Sequence, residues 1–485
     1  MISHGRRAPI AVVGAAIALL TAACGSRLPT SQLALGAGGA VVGSSGSSTS
    51  ETTQGGAAIS GGTGASTAAG PSASGGGPAG GGSGQQSAPG AGASGTTSGA
   101  KAASGGGGAS DVGVSATSIT IGNIADVSGV VPGLFRTAQQ ATIAFAAYVN
   151  STGGIYGRTL KVVAYDSQTD GSAYRTAAVE ACSKSFALVG SLSVFDDAGA
   201  SSIDKCKLPN VASGVATAGG ATSTYTFPAT QPTAHFYPNG SAVYFVRTHP
   251  AAVKKAAMLY LNAASSIQIA QNRMKAWKKA GFDWIYSAQV GVTEPNYAPY
   301  VLQMRQQGVQ FVTAQADEAS TIRLLQAMEQ QNWHPEVIQL TEGAYSPSFL
   351  SNAGKAAEGA ILVMGNGLYT DASNNGEAKL FLTWMNKINP GFKQDSWAFP
   401  GWASGRLFQR ALIAAGPNPT RASLTDALRK VETFDGGGGL VGPSNPAKKI
   451  PSNCYLVAVV KSGAFVRTAP ASGYNCNDGE LVKVG

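Results

Sequence analysis

Two runs of alternating strand and helix patterns, separated by a loop-rich break, constrain the fold of this chain most. In the first run, strand patterns at residues 119–125, 160–165, 186–190 and 210–213 alternate with helical patterns at 136–150, 172–183 and 196–205. After a break at 214–240, the second run has strand patterns at 256–261, 284–290, 309–313, 337–340 and 360–364. Strands separated by helices imply right-handed crossovers and a parallel sheet. We therefore predict an α/β fold with two doubly wound parallel-sheet lobes.

The N-terminus has the pattern of a secretory signal. Arg6 and Arg7 precede a short apolar run from Ile10 to Leu20, and small residues lead up to Cys24. The position of Cys24 resembles the lipobox of bacterial lipoproteins, in which this thiol is acylated and becomes the new N-terminus. We expect residues 1–23 to be a signal peptide and Cys24 to be lipidated; the alternative is ordinary cleavage near Ala23.

Residues 24–110 are almost all Gly, Ser, Ala and Thr, and the first aromatic residue of the chain is Phe135. Such a segment cannot bury enough apolar surface to offset the entropy of ordering it. We expect a lipid-anchored, disordered tether, followed by a ligand-binding domain at residues 111–485. After Cys24 no apolar stretch approaches a membrane-spanning length. The predicted location is the outer face of the cell membrane, where the lipid holds the protein.

Charge and motifs exclude several classes of function. The net charge of +9 is scattered, with no basic run interleaved with aromatic residues, so nucleic-acid binding has little support. Gly-x-Ser-x-Gly and His-Glu-x-x-His motifs are absent, which argues against a hydrolase. His235, His249 and His334 lack the spacing of zinc ligands, and no Cys-x-x-Cys occurs. We predict neither catalytic residues, nor a metal site, nor a cofactor.

Four cysteines follow Cys24, and an even number in an exported chain favours disulfides. Three pairings are conceivable. The predicted helices that end near Cys182 and Cys206 are successive, so both cysteines are expected at the same edge of the sheet and can meet. Cys454 and Cys476 then pair by elimination.

The predicted strands end in small polar residues. In open parallel sheets ligands bind beyond the carboxyl ends of the strands, and in a two-lobed protein the cleft between the lobes is the default pocket. Each residue could instead simply cap the following helix. These strand-end residues are Asp126, Ser128, Ser191, Ser193, Ser213, Thr217, Asn262, Ser265, Thr341 and Glu342.

Several segments together resemble the type I periplasmic-binding-protein family, in particular its leucine/isoleucine/valine-binding branch of ABC-transporter receptors. The segments are residues 121–129 with a Ser-Gly turn, 150–158 with Asn-x-x-Gly-Gly-Ile-x-Gly, the acidic turn at 165–170, and the closing hairpin from Asn453. The resemblance implies two lobes joined by about three crossover segments, near 227–238, 359–369 and 440–452. Lobe 1 would comprise about 114–230 and 366–440, and lobe 2 about 238–362 and 453–485.

The resemblance also implies positions for ligand-binding residues. In lobe 1 these are an aromatic wall at Phe135, the loop at Ser193, Val194 and Phe195, and the segment with Ala216 and Thr217, whose hydroxyl would be the main donor. In lobe 2, Glu342 would meet a ligand ammonium. Ser266 and Gln315 stand where the family has tyrosines, so a polar, amine-bearing or amide ligand is as compatible as a branched-chain amino acid.

The function implied is a non-enzymatic, monomeric receptor that closes on a small ligand, such as an amino acid or an amide, and docks on an ABC permease. The alternative from a different class is an exported sensor of the same fold that acts without transport.

Overall fold

The computed structural model describes residues 108–230 and 235–485. The predicted signal peptide, Cys24 and nearly all of the predicted tether lie outside the described residues. Within the described ranges, none of the helices combines the length and the apolarity that crossing a membrane requires.

A four-stranded parallel sheet organises the half of the molecule that we call lobe 1. Ile119 and Ile121 of its first strand pack with Phe145 on one face, whereas Ile124 packs with Tyr174 on the other. The sheet is therefore covered by helices on both faces, which explains why its central strand β1 is almost entirely buried. The strands are β1 (Ser118–Ala125), β2 (Thr159–Asp166), β3 (Ala187–Val189) and β4 (Asn210–Val211), in the order β2-β1-β3-β4. The helices are α1 (Arg136–Ser151), α2 (Gly171–Lys184), α3 (Ala200–Lys205) and α4 (Ala218–Thr222).

A seven-stranded sheet organises the other half, which we call lobe 2. The strands of this half are β5 (Phe236–Pro238), β6 (Ala256–Leu261), β7 (Trp284–Val290), β8 (Phe311–Gln315), β9 (Val337–Leu340), β10 (Ile361–Met364), β11 (Leu456–Lys461), β12 (Ala464–Ala469) and β13 (Leu481–Lys483). Its helices are α5 (Gly240–Thr248), α6 (Ala264–Ala280), α7 (Ala298–Gln306), α8 (Glu318–Gln330) and α9 (Pro347–Ala353). The order in the large sheet is β12-β11-β10-β9-β8-β6-β7, and β5 pairs separately with β13.

The large sheet of lobe 2 is mostly parallel, as predicted, and the closing hairpin expected after Asn453 makes one edge of it antiparallel. β6 to β10 are parallel, but β11 runs antiparallel to β10 and β12 antiparallel to β11. The two-residue loop Ser462-Gly463 has φ values of 51° and 73°. Such a loop produces a tight hairpin, and a tight hairpin makes its strands antiparallel.

Two elements inside or next to the predicted loop-rich break are not apparent from the sequence. β5 and α5 follow each other there, and α5 contains Val, Tyr and Phe in succession, a composition that also suits a strand. The segment is nevertheless helical, and Phe245 on it packs against Phe311 of β8 with the ring centroids 5.0 Å apart. Tertiary packing therefore decides the conformation of this segment.

The C-terminal helices return to lobe 1. They are α10 (Gly376–Ile388), α11 (Ala398–Ala415) and α12 (Arg421–Leu428), and α10 and α11 pack on α1. Gly401 and Gly405 lie one turn apart on α11 at this contact. A Cβ atom at Gly401 would lie 2.4 Å from the Ala138 carbonyl oxygen, and one at Gly405 would lie 2.3 Å from the Phe145 ring. Glycine is therefore required for the helices to approach this closely.

Three chain passages connect the two sheets, and they lie side by side. The second passage, after β10, pairs with the third: Gly367 N donates to Leu440 O at 3.0 Å, and Gly442 N donates to Gly365 O at 2.8 Å. Ser444 Oγ of the third passage donates to the Ala229 carbonyl of the first at 3.4 Å. Adjacent, hydrogen-bonded passages thus form one narrow connection between the lobes.

The described structure contains the two predicted disulfides. Cys182 and Cys206 are joined with a Cα–Cα distance of 6.0 Å, and Cys454 and Cys476 with one of 4.1 Å. Cys182 lies in the last turn of α2 and Cys206 is the C-cap of α3, so the successive helices do end close together.

Candidate functional site

A cleft of about 1120 Å³ lies between the lobes, at the carboxyl ends of the parallel strands of both sheets. This is the position that the sheet topology predicts for a ligand site. The lining from lobe 1 includes residues 130–137, 192, 194–195 and 213–216, and the lining from lobe 2 includes residues 261–266, 315–319, 341–343 and 363–366.

The wall contributed by lobe 1 is mainly apolar. Phe135 is 5% exposed and meets the Trp397 ring edge-on at 5.1 Å. Leu134, Leu192 and Val194 pack in the same cluster and also line the cleft. A ligand in the cleft would therefore lie against aliphatic and aromatic side chains on this side.

Asp126 occupies the hydrogen-bond donors of the loop that follows β3. Its carboxylate is fully buried and accepts from Ser193 Oγ at 2.9 Å, Ser167 Oγ at 2.5 Å and Val194 N at 2.9 Å. Burial raises the pKa of Asp126, although these hydrogen bonds lower it in part. Ser193, one of the three predicted loop residues, does not line the cleft, and its hydroxyl donates to Asp126.

Asp196 occupies the donors of the next loop in the same way. Its carboxylate accepts from Ala216 N at 2.7 Å, from Thr217 N at 3.1 Å and from the Thr217 hydroxyl. Burial raises the pKa of Asp196 to about 7. Thr217 also accepts from Gly220 N at 3.0 Å as the N-cap of α4. The hydroxyl of Thr217, which the family resemblance implies as the main ligand donor in lobe 1, is engaged internally, and Thr217 does not line the cleft.

The hydroxyls of lobe 1 that do line the cleft also donate within the protein. Thr137 donates to Asp395 at 2.5 Å and Thr169 to Ser128 O at 3.0 Å. Ser213 donates to Gly190 O at 2.9 Å, and Thr230 donates to Ser213 O at 2.5 Å. The Ser and Thr hydroxyls of this lining are therefore satisfied within the protein, while the Arg136, Lys393 and Gln394 side chains of lobe 1 also line the cleft.

Glu342 lines the cleft from lobe 2, in a short 3₁₀ turn after β9. Its Oε1 accepts from Gly365 N at 2.8 Å. Burial raises the pKa of Glu342, while this hydrogen bond and the positive charge of Arg273 act in the opposite direction. The carboxylate is thus partly desolvated and close enough to Arg273 to feel its charge.

Arg273, on α6, lines the cleft and was not predicted from the sequence. It is 8% exposed, and its Nε donates to the Tyr237 hydroxyl at 2.8 Å and its Nη2 to Gln315 Oε1 at 3.0 Å. The guanidinium lies over the rings of Tyr237 and Trp277, at 5.9 and 5.6 Å. Nη1 has no hydrogen-bond partner among the described residues.

A signal for Arg273 does exist in the sequence. Ile269, Arg273 and Trp277 recur every fourth residue on α6 and share one face. A cation in the middle of an apolar stripe must be buried together with the stripe, and buried cations are usually paired or functional.

The structure brings seven of the nine predicted ligand-binding residues to the cleft and leaves out Ser193 and Thr217. Ser266 and Gln315 line the cleft on lobe 2, as Glu342 does. The hydroxyls of Ser265, Ser266 and Thr341 have no hydrogen-bond partner within the described residues. In residues 108–230 and 235–485, no group of three or more His, Cys, Asp or Glu side chains is placed to hold a metal ion.

The model of the periplasmic binding protein family matches residues 118–464. The chain belongs to the periplasmic binding protein family. Its fold is the type I periplasmic-binding-protein fold, and its relatives are binding proteins and receptors, so this member is a binding protein and not an enzyme. No curated protein sequence matches it significantly.

Solved structures of the same fold resemble this periplasmic binding protein along most of its length. A fatty acid ABC transporter substrate-binding protein from Thermomonospora curvata is 19% identical with a TM-score of 0.65, covering 78% of this chain and 97% of its own. A branched-chain amino acid ABC transporter protein from Thermus thermophilus with bound valine is 14% identical with a TM-score of 0.64, covering 76% and 97%. A leucine-binding protein from Thermotoga maritima is 16% identical with a TM-score of 0.60, covering 72% and 98%.

Proposed function

We propose that this protein is the extracytoplasmic solute-binding receptor of an ABC importer, which binds a small organic ligand such as an amino acid or a related molecule in the interlobe cleft. The observation that carries the proposal is the cleft itself, because both lobes line it at the carboxyl ends of their strands. Similar structures include a fatty acid transporter subunit and a branched-chain amino acid protein with bound valine.

Closure of the lobes on the ligand is the proposed mechanism. The three adjacent passages between the sheets provide the hinge, and Gly436 to Gly439 beside the third passage all have positive φ. Across the cleft, Ala218 N of lobe 1 donates to Gln268 Oε1 of lobe 2 at 3.0 Å. Such a cross-cleft hydrogen bond would be made on closing and broken on opening, so ligand contacts with both lobes would shift the balance toward the closed form.

The proposed partner is a membrane permease, on which the closed monomer docks. The proposed anchor is a lipid on Cys24, which would hold the receptor at the outer face of the cell membrane. Replacing Cys24 with Ala should move the protein from the membrane fraction to the soluble fraction after cell lysis. If the C24A protein stays with the membranes, another segment anchors it.

Small-angle X-ray scattering of the full chain tests the proposal. A ligand that binds both lobes should reduce the radius of gyration, and it should raise the midpoint of thermal unfolding as its concentration exceeds the dissociation constant. Uptake of that ligand by cells should be lost when this chain is deleted. Binding and closure without any effect on uptake would favour the sensor function instead.

A further inference from the structure

The two lobes differ in which charge they can accept from a ligand. In lobe 1, the loop donors that face the cleft end of the sheet already bind the carboxylates of Asp126 and Asp196. Two internal carboxylates thus take the place that a ligand carboxylate would need there. A ligand anion near them would also be repelled by like charge.

In lobe 2, Arg273 is the candidate for binding a ligand anion, although the Glu342 carboxylate lies within reach of its charge. Arg273 forms no ion pair with any carboxylate in the described part of the chain, and its Nη1 lacks a partner. A buried guanidinium with an unused N–H group has a strong preference for an anion, since burial of an unpaired charge is costly. Carboxylates match its planar geometry.

The acidic residues in the cleft are each bound to protein donors. Asp317 caps α8 by accepting from Ser320 N at 3.1 Å, and Glu318 accepts from Ser346 Oγ at 2.6 Å. Asp395 accepts from Thr137 and from Trp397 N at 2.9 Å, and Glu342 accepts from Gly365 N. Each of these carboxylates already accepts a hydrogen bond from the protein, whereas Nη1 of Arg273 has no partner among the described residues.

The remaining lining suits an apolar body. Phe135, Leu192 and Trp397 line the cleft from lobe 1, and Ile269 and Val363 line it from lobe 2 close to Arg273. The cleft volume of about 1120 Å³ exceeds the usual range of roughly 300 to 1,000 Å³ for small-molecule pockets. This space can hold a ligand with an extended apolar body.

Resting on the receptor function proposed above, we propose that the ligand is an apolar carboxylate without an ammonium group, whose carboxylate binds Arg273 of lobe 2 and whose apolar body lies against lobe 1. Gln315, which already accepts from Nη2, holds the guanidinium in place for the ligand.

Isothermal titration of the full chain with four probes tests this assignment. Octanoate, octylamine and octan-1-ol have the same apolar body and differ in charge, and leucine carries both charges. Octanoate should bind at least tenfold more tightly than the other three. Tighter binding of octylamine or leucine, or no binding of octanoate, would overturn the assignment.

Two variants of Arg273 and a matched control locate the carboxylate. Arg273→Met should weaken octanoate binding at least tenfold, or about 1.4 kcal/mol, without weakening octan-1-ol. Arg305→Met removes the same charge on the exposed surface of α7 and should leave octanoate binding within about twofold of the original. Arg273→Lys, which keeps the charge but not the fork of donors, should give an intermediate affinity and serves if the Met variant does not fold.

The outcomes separate this assignment from the receptor function. If the folded Arg273→Met and Arg273→Lys proteins bind octanoate as tightly as the original protein does, Arg273 is not the residue that binds the carboxylate. If a ligand of another class binds and reduces the radius of gyration, the receptor function stands and the carboxylate assignment fails. If octanoate binds through Arg273 without any compaction, the assignment stands and the hinge-closing receptor fails.

Discussion

Both lobes face the cleft with the carboxyl ends of their parallel strands, but their polar groups there differ in whether they are hydrogen-bonded within the protein. In lobe 1, Asp126 and Asp196 accept hydrogens from the strand-end loops, and the lining hydroxyls donate to backbone or carboxylate oxygens. In lobe 2, Ser265, Ser266 and Thr341 have free hydroxyls within the described residues, and Arg273 has a free N–H group.

This difference indicates that lobe 1 supplies apolar contacts and lobe 2 supplies hydrogen bonds to the ligand. Satisfied polar groups make the loops of lobe 1 rigid and leave an apolar wall to face the ligand. Unsatisfied groups in lobe 2 keep their hydrogen-bonding capacity for a ligand, and a ligand that satisfies them is recognised by its chemistry. The comparison therefore predicts that lobe 1 substitutions change stability more, and lobe 2 substitutions change affinity more.

Replacing Asp196 with Ala should have the largest effect on stability. It leaves two backbone N–H groups and the Thr217 hydroxyl without their acceptor in a buried site. We expect a loss of about 3 kcal/mol in the free energy of unfolding, measured by urea denaturation.

Asp197 provides the matched control, because it is the next residue in the chain and is exposed. Asp197→Ala should change the free energy of unfolding by less than about 0.5 kcal/mol. Equal losses in the two variants would show that the Asp196 hydrogen bonds do not order the lobe 1 loops.

Stability should also depend on pH through Asp395, which joins Thr137 of lobe 1. Burial raises the pKa of Asp395 to about 6 from an ordinary 3.8. The folded state therefore holds this proton more tightly, so its contribution to the free energy of unfolding falls as pH rises from 4 through 6. Asp395→Asn keeps Oδ1 for Thr137 and Trp397 N but cannot titrate. Relative to the original protein it should gain roughly 1–2 kcal/mol between pH 4 and 7, measured by urea denaturation at each pH.

Asp478 of lobe 2 should show the opposite dependence. Hydrogen bonds from Arg247, at 3.0 Å to each carboxylate oxygen, lower the pKa of Asp478. Its contribution to stability is present above the ordinary value of 3.8 and is lost as pH falls below it. Asp478→Asn should therefore be less stable than the original protein at pH 7, and the gap should narrow below pH 4. The same sign of pH dependence in both variants would contradict the assignment of these carboxylates.

The alternation of strands and helices was sufficient to predict most of the fold. β1 and β6 to β10 follow from runs of apolar residues, and Cys182 pairs with Cys206 because α2 and α3 are successive in one layer. The conformation of α5 was not predictable, because it depends on packing against β8, far away in the chain. The antiparallel edge of lobe 2 does not follow from alternation; it was expected from the resemblance of the segment after Asn453 to a closing hairpin, which turns at Gly463.

The resemblance to the family located most of the predicted ligand-binding residues in the cleft, but it did not predict which groups their polar atoms bind. Thr217 has the expected place in the chain, yet its acceptor Asp196 comes 21 residues earlier, and only the fold brings the two together. Arg273 depends on Tyr237 and Gln315, which are 36 and 42 residues away. Such partners are set by tertiary contacts, so local patterns do not reveal them.

The smallest expected effect is on ligand affinity and concerns Glu342. Glu342→Gln keeps Oε1 as an acceptor for Gly365 N and removes a negative charge beside Arg273. For a carboxylate ligand the variant should bind about threefold more tightly, because a like charge near the ligand is gone. Burial raises the pKa of Glu342, so this gain should grow as pH rises and more of the original protein becomes ionised.

The sign of this effect distinguishes the two assignments of the lobe 2 acid. If Glu342 instead meets a ligand ammonium, the same substitution should weaken binding by at least tenfold, or about 1.4 kcal/mol. Titration of octanoate into the original and variant proteins at pH 6 and pH 9 measures the difference. Glu336→Gln, on the exposed surface beside His249, removes a charge outside the cleft and should leave the affinity unchanged at both pH values. If Glu342→Gln, but not Glu336→Gln, binds octanoate more tightly, the ligand group that binds lobe 2 is negatively charged.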